Sequence, residues 1–260
     1  MNITFAAISA GAAFAAAAIS QPYQRALPAL MLVMLGALLT ALGLQAEVVE
    51  PQGWRLGLGS SVALFAWLIA AAHLVLRQRL YLRGLDRVIW GTVALVIPIG
   101  LLLPTPASTH VAQLTPALRV HILLSMLAWA VLSLAAMQSI ACTLQARHLR
   151  KHKKPLLAAP LLELERSTFR LIGLGWLLLI GGIATGFLFV ENFFAQHLAH
   201  KTAFTLIAAV LFGTLLAGQA LRGWRGGVAL RWIAAAWLAL FVGYVGVKFV
   251  LEYVLASHWS

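Results

Sequence analysis

Eight stretches of mostly apolar residues dominate this sequence, and the charged residues lie almost entirely between them. A helix needs about 20 such residues to cross a bilayer, and inside lipid its backbone N–H and C=O groups must be paired within helices or a closed barrel. The pattern therefore predicts an all-α protein, a polytopic membrane helix bundle that forms a single integral membrane domain over residues 1–260. The eight predicted transmembrane spans cover residues 2–20, 27–46, 58–76, 88–103, 117–144, 169–190, 202–221 and 232–255.

The composition excludes several classes of protein. Charged residues form 10% of the chain and hydrophobic residues 62%, whereas a soluble domain is normally about 25% charged. Too few charges are present to give a globular domain a polar surface, so a soluble enzyme, a disordered chain and a secreted disulfide scaffold are all excluded. The single cysteine, Cys142, leaves no internal disulfide and no cysteine-based metal site.

The basic residues predict the orientation of the chain. Fifteen of the 19 lysine and arginine residues fall in alternate connections, and four fall on the opposite side. Positive charge collects in cytoplasmic loops, so both termini are predicted on the outer, periplasmic face of a bacterial inner membrane. The net charge of +12 then requires no nucleic-acid partner. The longest predicted connection, 145–168, opens with a basic run suited to anionic membrane lipid.

The remaining side chains do not suit common catalytic chemistry. The chain has seven acidic residues, and none lies near the middle of a predicted span. It contains no HExxH motif, no glycine-rich phosphate loop and no G-x-S-x-G sequence. The sequence therefore predicts a protein that is not an enzyme and has no metal site built from side chains alone.

A stripe of functional side chains lies at the start of the fifth span. Thr115 and Pro116 form a favourable helix start, with threonine as N-cap and proline at the first helical position. His121, Ser125 and Trp129 then follow at four-residue steps, so one helix face holds a ligand-type nitrogen, a hydroxyl and a large aromatic ring. The alternative is a histidine that is merely hydrogen-bonded to a neighbouring carbonyl at the membrane interface.

Two other groups of histidines are candidates. His197, His200 and Lys201 cluster just before the seventh span, on the predicted outer side. His73 lies inside the third span, where an ionisable residue is a functional candidate by default. The alternative for His73 is an interfacial position, because Arg77 follows one turn later.

From the fifth span to the end, the sequence resembles the YpjD-type branch of the cytochrome c assembly (CcsA/HemX-like) family of inner-membrane proteins. The resemblance covers about 140 residues, and no single motif is highly specific. It rests on Pro116, Val120-His121-Ile122 and Ser125, Pro160-Leu161, Glu165-Arg166, Phe169, Thr185-Gly186, Lys201, and Gly223-Trp224-Arg225-Gly226.

The resemblance implies a haem-handling membrane protein that works with cytochrome maturation components. In such proteins histidines on the outer face are axial haem ligands, and His121 matches the first of these positions. The second would fall near the end of the seventh span, where residues 216–221 contain no histidine. The family's Trp-rich haem-binding segment would correspond to residues 191–200, which contain no tryptophan. The resemblance thus predicts haem binding by His121 but no machinery for attaching haem. To this we add our own prediction that His197 or His200 substitutes as the second ligand.

Two alternative functions remain open on the same scaffold. One is a transporter or an accessory to ion efflux, which would need a site at broken helices near the middle of the membrane. Pro98 in the fourth span and the glycine pairs of the sixth are the only hints of such breaks. The other is a structural subunit that stabilises another membrane complex.

Overall fold

The computed structural model describes residues 3–20, 26–50, 53–54, 57–103, 115–151, 154–155, 157, 159–189, 196–246 and 249–250. Within these ranges, the side chains of 3–5, 20, 26–29, 47, 50, 53–54, 189 and 196–200 lie outside the description. The described chain is almost wholly helical, so the all-α prediction is confirmed. Its helices are α1 (Ile3–Ser20), α2 (Ala26–Val48), α3 (Leu58–Leu76), α4 (Asp86–Leu102), α5 (Pro116–Arg150), α6 (Leu161–Phe189), α7 (Gln196–Arg222) and α8 (Gly226–Phe241). Two-residue strands β1 (Val49–Glu50) and β2 (Gly53–Trp54) pair antiparallel after α2.

Six of the described helical segments are long and apolar enough to cross a membrane. Two further apolar helical segments are shorter in their described part, Ala6–Ile19 and Leu30–Ala46. Large apolar side chains also lie on the outside of the helices, for example Val210 and Leu188, which are 67% and 74% exposed. Such exposure suits lipid rather than water, and it supports the predicted membrane helix bundle.

Several helices extend beyond the predicted spans. α5 continues to Arg150 and α6 begins at Leu161, where the sequence predicted a connection from 145 to 168. α4, α7 and α8 likewise begin before the predicted residues 88, 202 and 232. The reason is that leucine, glutamine, arginine and glutamate favour helices in water as well, so a helix does not end where the lipid ends. Regular α8 ends at Phe241 and continues as a π-helical turn over Val242–Gly246, which the sequence did not predict.

One compact unit contains α1, α2, the strands, α3 through Leu74, and α4. α1 and α4 approach closely at Gly11, where a Cβ atom would lie 2.5 Å from Cγ of Pro98. Pro98 does not interrupt α4, which is continuous from Asp86 to Leu102. The ring of Phe14 stacks on Trp90 with 6.0 Å between centroids, and both side chains are fully buried.

The second compact unit contains residues 75–85 and 116–247, with helices α5 to α8. α6 packs on α5 through glycines: at Gly175, a Cβ atom would lie 2.7 Å from the side chain of Leu132. α6 is tied to α7 by Trp176, whose Nε1 donates to the carbonyl of Ala209 at 2.9 Å. These contacts join α5 to α6 and α6 to α7.

The turn between α7 and α8 is built by the Gly223-Trp224-Arg225-Gly226 sequence. Gly223 and Gly226 have φ angles of 64° and 55°, a left-handed conformation that glycine adopts without strain. Trp224 packs directly over Gly218, where any side chain would collide with the indole ring, and it stacks on Trp232 at 5.4 Å. This turn motif therefore has a packing role.

Candidate functional site

The candidate site lies in the second compact unit, near the start of α5. That helix begins at Pro116, as the Thr115-Pro116 sequence predicted. His121 is five residues further on, about 7 Å along the helix axis, and its side chain is half-buried. The ring is therefore close to the end of the helix that carries the predicted outer loop, with one side against α6.

Thr185 of α6 holds the ring of His121. Nδ1 of His121 lies 3.2 Å from Oγ1 of Thr185, and that hydroxyl donates to the carbonyls of Gly181 and Gly182 at 2.9 and 3.0 Å. Because the hydroxyl has one hydrogen, which goes to these carbonyls, its oxygen accepts from Nδ1–H of His121. In the neutral ring the lone pair is then on Nε2.

Ser125 marks the closest approach of α5 and α6 at this level. A Cβ atom at Gly182 would lie 2.9 Å from Oγ of Ser125. Glycine at this position lets the two backbones approach, as small residues do in membrane helices. The contact between α5 and α6 at Ser125 thus sets how far Thr185 reaches towards His121.

Trp129, two turns after His121 on α5, belongs to a group of four aromatic rings. We call this group the aromatic cluster: Trp129, Trp237, Phe241 and Tyr244. Trp129 lies 5.4 Å from Tyr244 and 6.5 Å from Phe241 between centroids, and Phe241 stacks on Trp237 at 5.3 Å. Nε1 of Trp237 donates to Oγ of Ser133 at 2.7 Å, which ties α8 to α5. The cluster extends the predicted stripe on α5 with aromatic side chains of α8 and of the π-helical turn that follows it.

Lys201 lies at the edge of the aromatic cluster. Its Nζ atom is 4.9 Å from the centroid of the Tyr244 ring, a cation–π distance. Tyr244 is presented by the π-helical turn, and Gly243 in that turn packs against Phe204 of α7, with a Cβ position 2.6 Å from Cβ of Phe204. The sequence alone did not single out Tyr244, and the only signal for it was a polar aromatic residue at the middle of the eighth predicted span.

The other two predicted ligands, His197 and His200, lie in the first turns of α7. Their side chains are outside the described residues. The helix does begin before them, at Gln196, so they belong to the same helix as Lys201. Of the predicted site residues, the structure therefore places His121, Ser125 and Trp129 on one face of α5.

His73 lies in the first compact unit and has a carboxylate partner. Its Nε2 atom is 2.7 Å from Oδ1 of Asp86, and the side chains of His73 and Asp86 are 0% and 7% exposed. The rings of His73 and Trp90 meet edge to face at 5.1 Å. Within the described part of the chain, Nδ1 of His73 and Nε1 of Trp90 are both buried with no hydrogen-bond partner.

The sequence did not pair these two residues. Asp86 is the first residue of α4, where the helix dipole stabilises a negative charge. The sequence signal for this pair was an aspartate at the start of one helix and a histidine near the end of the preceding predicted span.

Comparison with known proteins gives a family for the chain. The family model described as "Cytochrome C assembly protein" matches residues 57–255. An uncharacterised 28.8 kDa protein of Azospirillum brasilense is 33% identical over 218 residues, with 78% of each chain covered. The inner membrane protein YpjD of Escherichia coli (strain K12) is 24% identical over 218 residues, with 82% of each chain covered.

A shorter match reaches a second type of protein. The cytochrome c biogenesis protein CcsA of Gloeobacter violaceus is 26% identical over 98 residues, which are 37% of this chain and 29% of that protein. No solved structure matches the chain. The YpjD-type resemblance is thereby confirmed, and with its apolar helices the chain is a multi-pass protein of the bacterial inner membrane. It belongs to the cytochrome c assembly protein family.

Proposed function

We propose that this protein binds haem near the outer face of the membrane and handles it for cytochrome c assembly, with His121 as an axial ligand of the iron. The observation that carries the proposal is the 3.2 Å contact between Nδ1 of His121 and Oγ1 of Thr185. Histidines that bind metals usually donate their other ring N–H to an oxygen, which fixes the tautomer and the ring orientation. Thr185 provides such an oxygen and leaves the lone pair of His121 on Nε2.

The surroundings of His121 suit a porphyrin. The aromatic cluster offers flat apolar rings, and Lys201 places a positive charge at its edge. Bound haem would supply an iron that accepts an imidazole nitrogen as axial ligand. The chain's own part is to orient that imidazole through Thr185 and to pack the apolar face of the ligand.

The second axial ligand in this proposal is His197 or His200. Both lie in the first turns of α7, the helix that also carries Lys201. Residues 216–221 provide no histidine, and Gln219 is a poor haem ligand. The two iron ligands would then come from α5 and α7, two helices that both contact α6.

We infer that the protein is not an enzyme and binds or passes on haem without attaching it. Residues 191–200 contain no tryptophan, so the Trp-rich segment of the attachment machinery is missing from the corresponding position. One relative is named a cytochrome c biogenesis protein, which supports a role beside maturation components. Transport is less well supported, since α4 is continuous through Pro98 and α6 through its glycines.

The proposed topology has eight spans with both termini on the periplasmic side. α1 and α2 would then cross the membrane together with the six longer segments. The fifteen basic residues of alternate connections would face the cytoplasm and contact anionic lipid. This orientation puts the start of α5, and with it His121, at the outer face.

The test is a haem titration of detergent-purified protein, followed through the Soret band. His121→Ala should lose the band or weaken haem binding by at least about tenfold. The matched control is His148→Ala, since His148 is a half-buried histidine in the last turn of the same helix. Wild-type protein that stays free of haem would contradict the proposal, and transport assays in vesicles or a search for a stoichiometric membrane partner would then follow.

A further inference from the structure

A cation lies at the edge of the aromatic cluster. Lys201 is at the outer end of α7, its side chain is exposed, and its ammonium lies 4.9 Å from the ring of Tyr244. Tyr244 in turn lies 5.4 Å from Trp129, which shares a helix face with His121. The positive charge of Lys201 therefore lies at the edge of the aromatic cluster, which begins on the helix face of α5 that carries His121.

Arg119 is the other described basic residue near the start of α5. It precedes His121 by two residues, and residues two apart on a helix do not face each other. Lys201, by contrast, lies at the edge of the aromatic cluster, with its ammonium 4.9 Å from the ring of Tyr244. Of these two cations, Lys201 is the one placed to meet a ligand bound by His121.

The chemistry of a lysine at this point favours a carboxylate. Its ammonium is a compact, hydrated charge on a flexible stem, and at the membrane interface the stem lies along apolar surface while the charge reaches water. A ligand that meets both features needs an apolar plane and an acidic group at its edge. A tetrapyrrole with free carboxylate side chains has this combination.

We propose that Lys201 binds a carboxylate of the ligand whose iron His121 coordinates, so that the site selects a tetrapyrrole with free propionates. This inference rests on the proposed function, because it assumes haem binding at His121. Lys201 is in this view a specificity-determining residue, separate from the iron ligands. The competing role for Lys201 is that of an interfacial lysine that only contacts lipid headgroups and the Tyr244 ring.

The test compares haem with haem dimethyl ester, in which both propionates are masked. Soret titrations give the ratio of the two dissociation constants for each protein variant, and detergent partitioning of the ligands cancels when these ratios are compared. We expect the preference for free haem to fall about fivefold in Lys201→Met, the size of a partly exposed ion pair. Lys201→Arg should keep the preference, and Lys201→Gln, which retains a hydrogen-bond donor without the charge, should lose it.

The control variant is Lys151→Met, because Lys151 is an exposed lysine just beyond the opposite end of α5. Unchanged affinity for the dimethyl ester in Lys201→Met shows that the fold and the iron ligand are intact. An unchanged ratio in both Lys201→Met and Lys201→Gln overturns the carboxylate role and leaves haem binding in place. Wild-type protein that binds neither compound overturns the proposed function and this inference together.

Discussion

Nδ1 of His121 lies 3.2 Å from Oγ1 of Thr185, and the same hydroxyl donates to the carbonyls of Gly181 and Gly182. The two residues are 64 positions apart in the chain, so the contact exists only because α5 and α6 pack side by side. It gives the imidazole a defined tautomer and orientation before any ligand arrives. Preorganisation of this kind strengthens metal binding.

Removal of the Thr185 hydroxyl is expected to weaken haem binding while His121 itself remains. Thr185→Val keeps the shape of the side chain but takes away the acceptor for Nδ1–H, and loss of such an outer-shell partner typically costs about tenfold in affinity. The measurement is the dissociation constant for haem. Thr143→Val is the matched control, because Oγ1 of Thr143 also donates to its own helix, at the carbonyl of Ser139. Equal affinities in the two variants would refute the role of Thr185.

A side chain at Gly182 is expected to displace the hydroxyl of Ser125. Gly182→Ala would place Cβ 2.9 Å from Oγ of Ser125, so the serine must turn to another rotamer, and the protein is expected to lose about 1 kcal/mol of stability. Gly173→Ala, on the same helix, has nothing within 4 Å of its Cβ position and should be neutral or slightly stabilising. Thermal unfolding in detergent compares the two. Addition of Ser125→Gly to Gly182→Ala should restore part of the loss, and the absence of any restoration would show that Ser125 is not the obstacle.

The His73–Asp86 pair is expected to be a strong determinant of stability. Asp86→Ala leaves a buried ring nitrogen of His73 without its hydrogen-bond partner and should cost about 1–3 kcal/mol in the free energy of unfolding. Glu163→Ala removes one partner of the more exposed pair with Arg166 and should cost less than about 1 kcal/mol. Denaturant unfolding in detergent gives both values. If Asp86→Ala and Glu163→Ala lower the free energy of unfolding by similar amounts, burial does not make the His73–Asp86 pair more important for stability than the exposed pair.

The proposed orientation can be tested by cysteine labelling in intact cells. In a Cys142→Ser background, which removes the buried native cysteine, Arg119→Cys and Lys154→Cys each put a thiol at an exposed position. A membrane-impermeant maleimide should label position 119, on the periplasmic side, and should reach position 154 only after the cells are opened. The reverse pattern would invert the proposed topology.

The helices themselves were predictable because the apolar stretches are long and the charges between them few. The start of α5 at Pro116 followed from the Thr115-Pro116 sequence, and the four-residue spacing of His121, Ser125 and Trp129 placed them on one helix face. These inferences need only the geometry of a single helix. The structure adds which neighbouring residue meets that face.

Features that depend on two helices could not be predicted from one sequence. Thr185 was visible only as part of a resemblance, and nothing local links it to His121. Asp86 and His73 are separated by an arginine-containing loop, so their pairing required the packing of α3 and α4. The π-helical turn that presents Tyr244 depends on the close contact between Gly243 and Phe204 of α7, and the apolar pattern of α8 carries no sign of it.

Imidazole rescue of a His121→Gly variant, observed in the Soret region after reconstitution with haem, tests directly whether His121 binds the iron. The variant removes the side chain that is proposed to bind iron and leaves space for a free imidazole. We expect the wild-type Soret band to be lost in His121→Gly and to return when imidazole is added. A wild-type band in His121→Gly without imidazole would show that another residue holds the iron and that His121 is not its ligand.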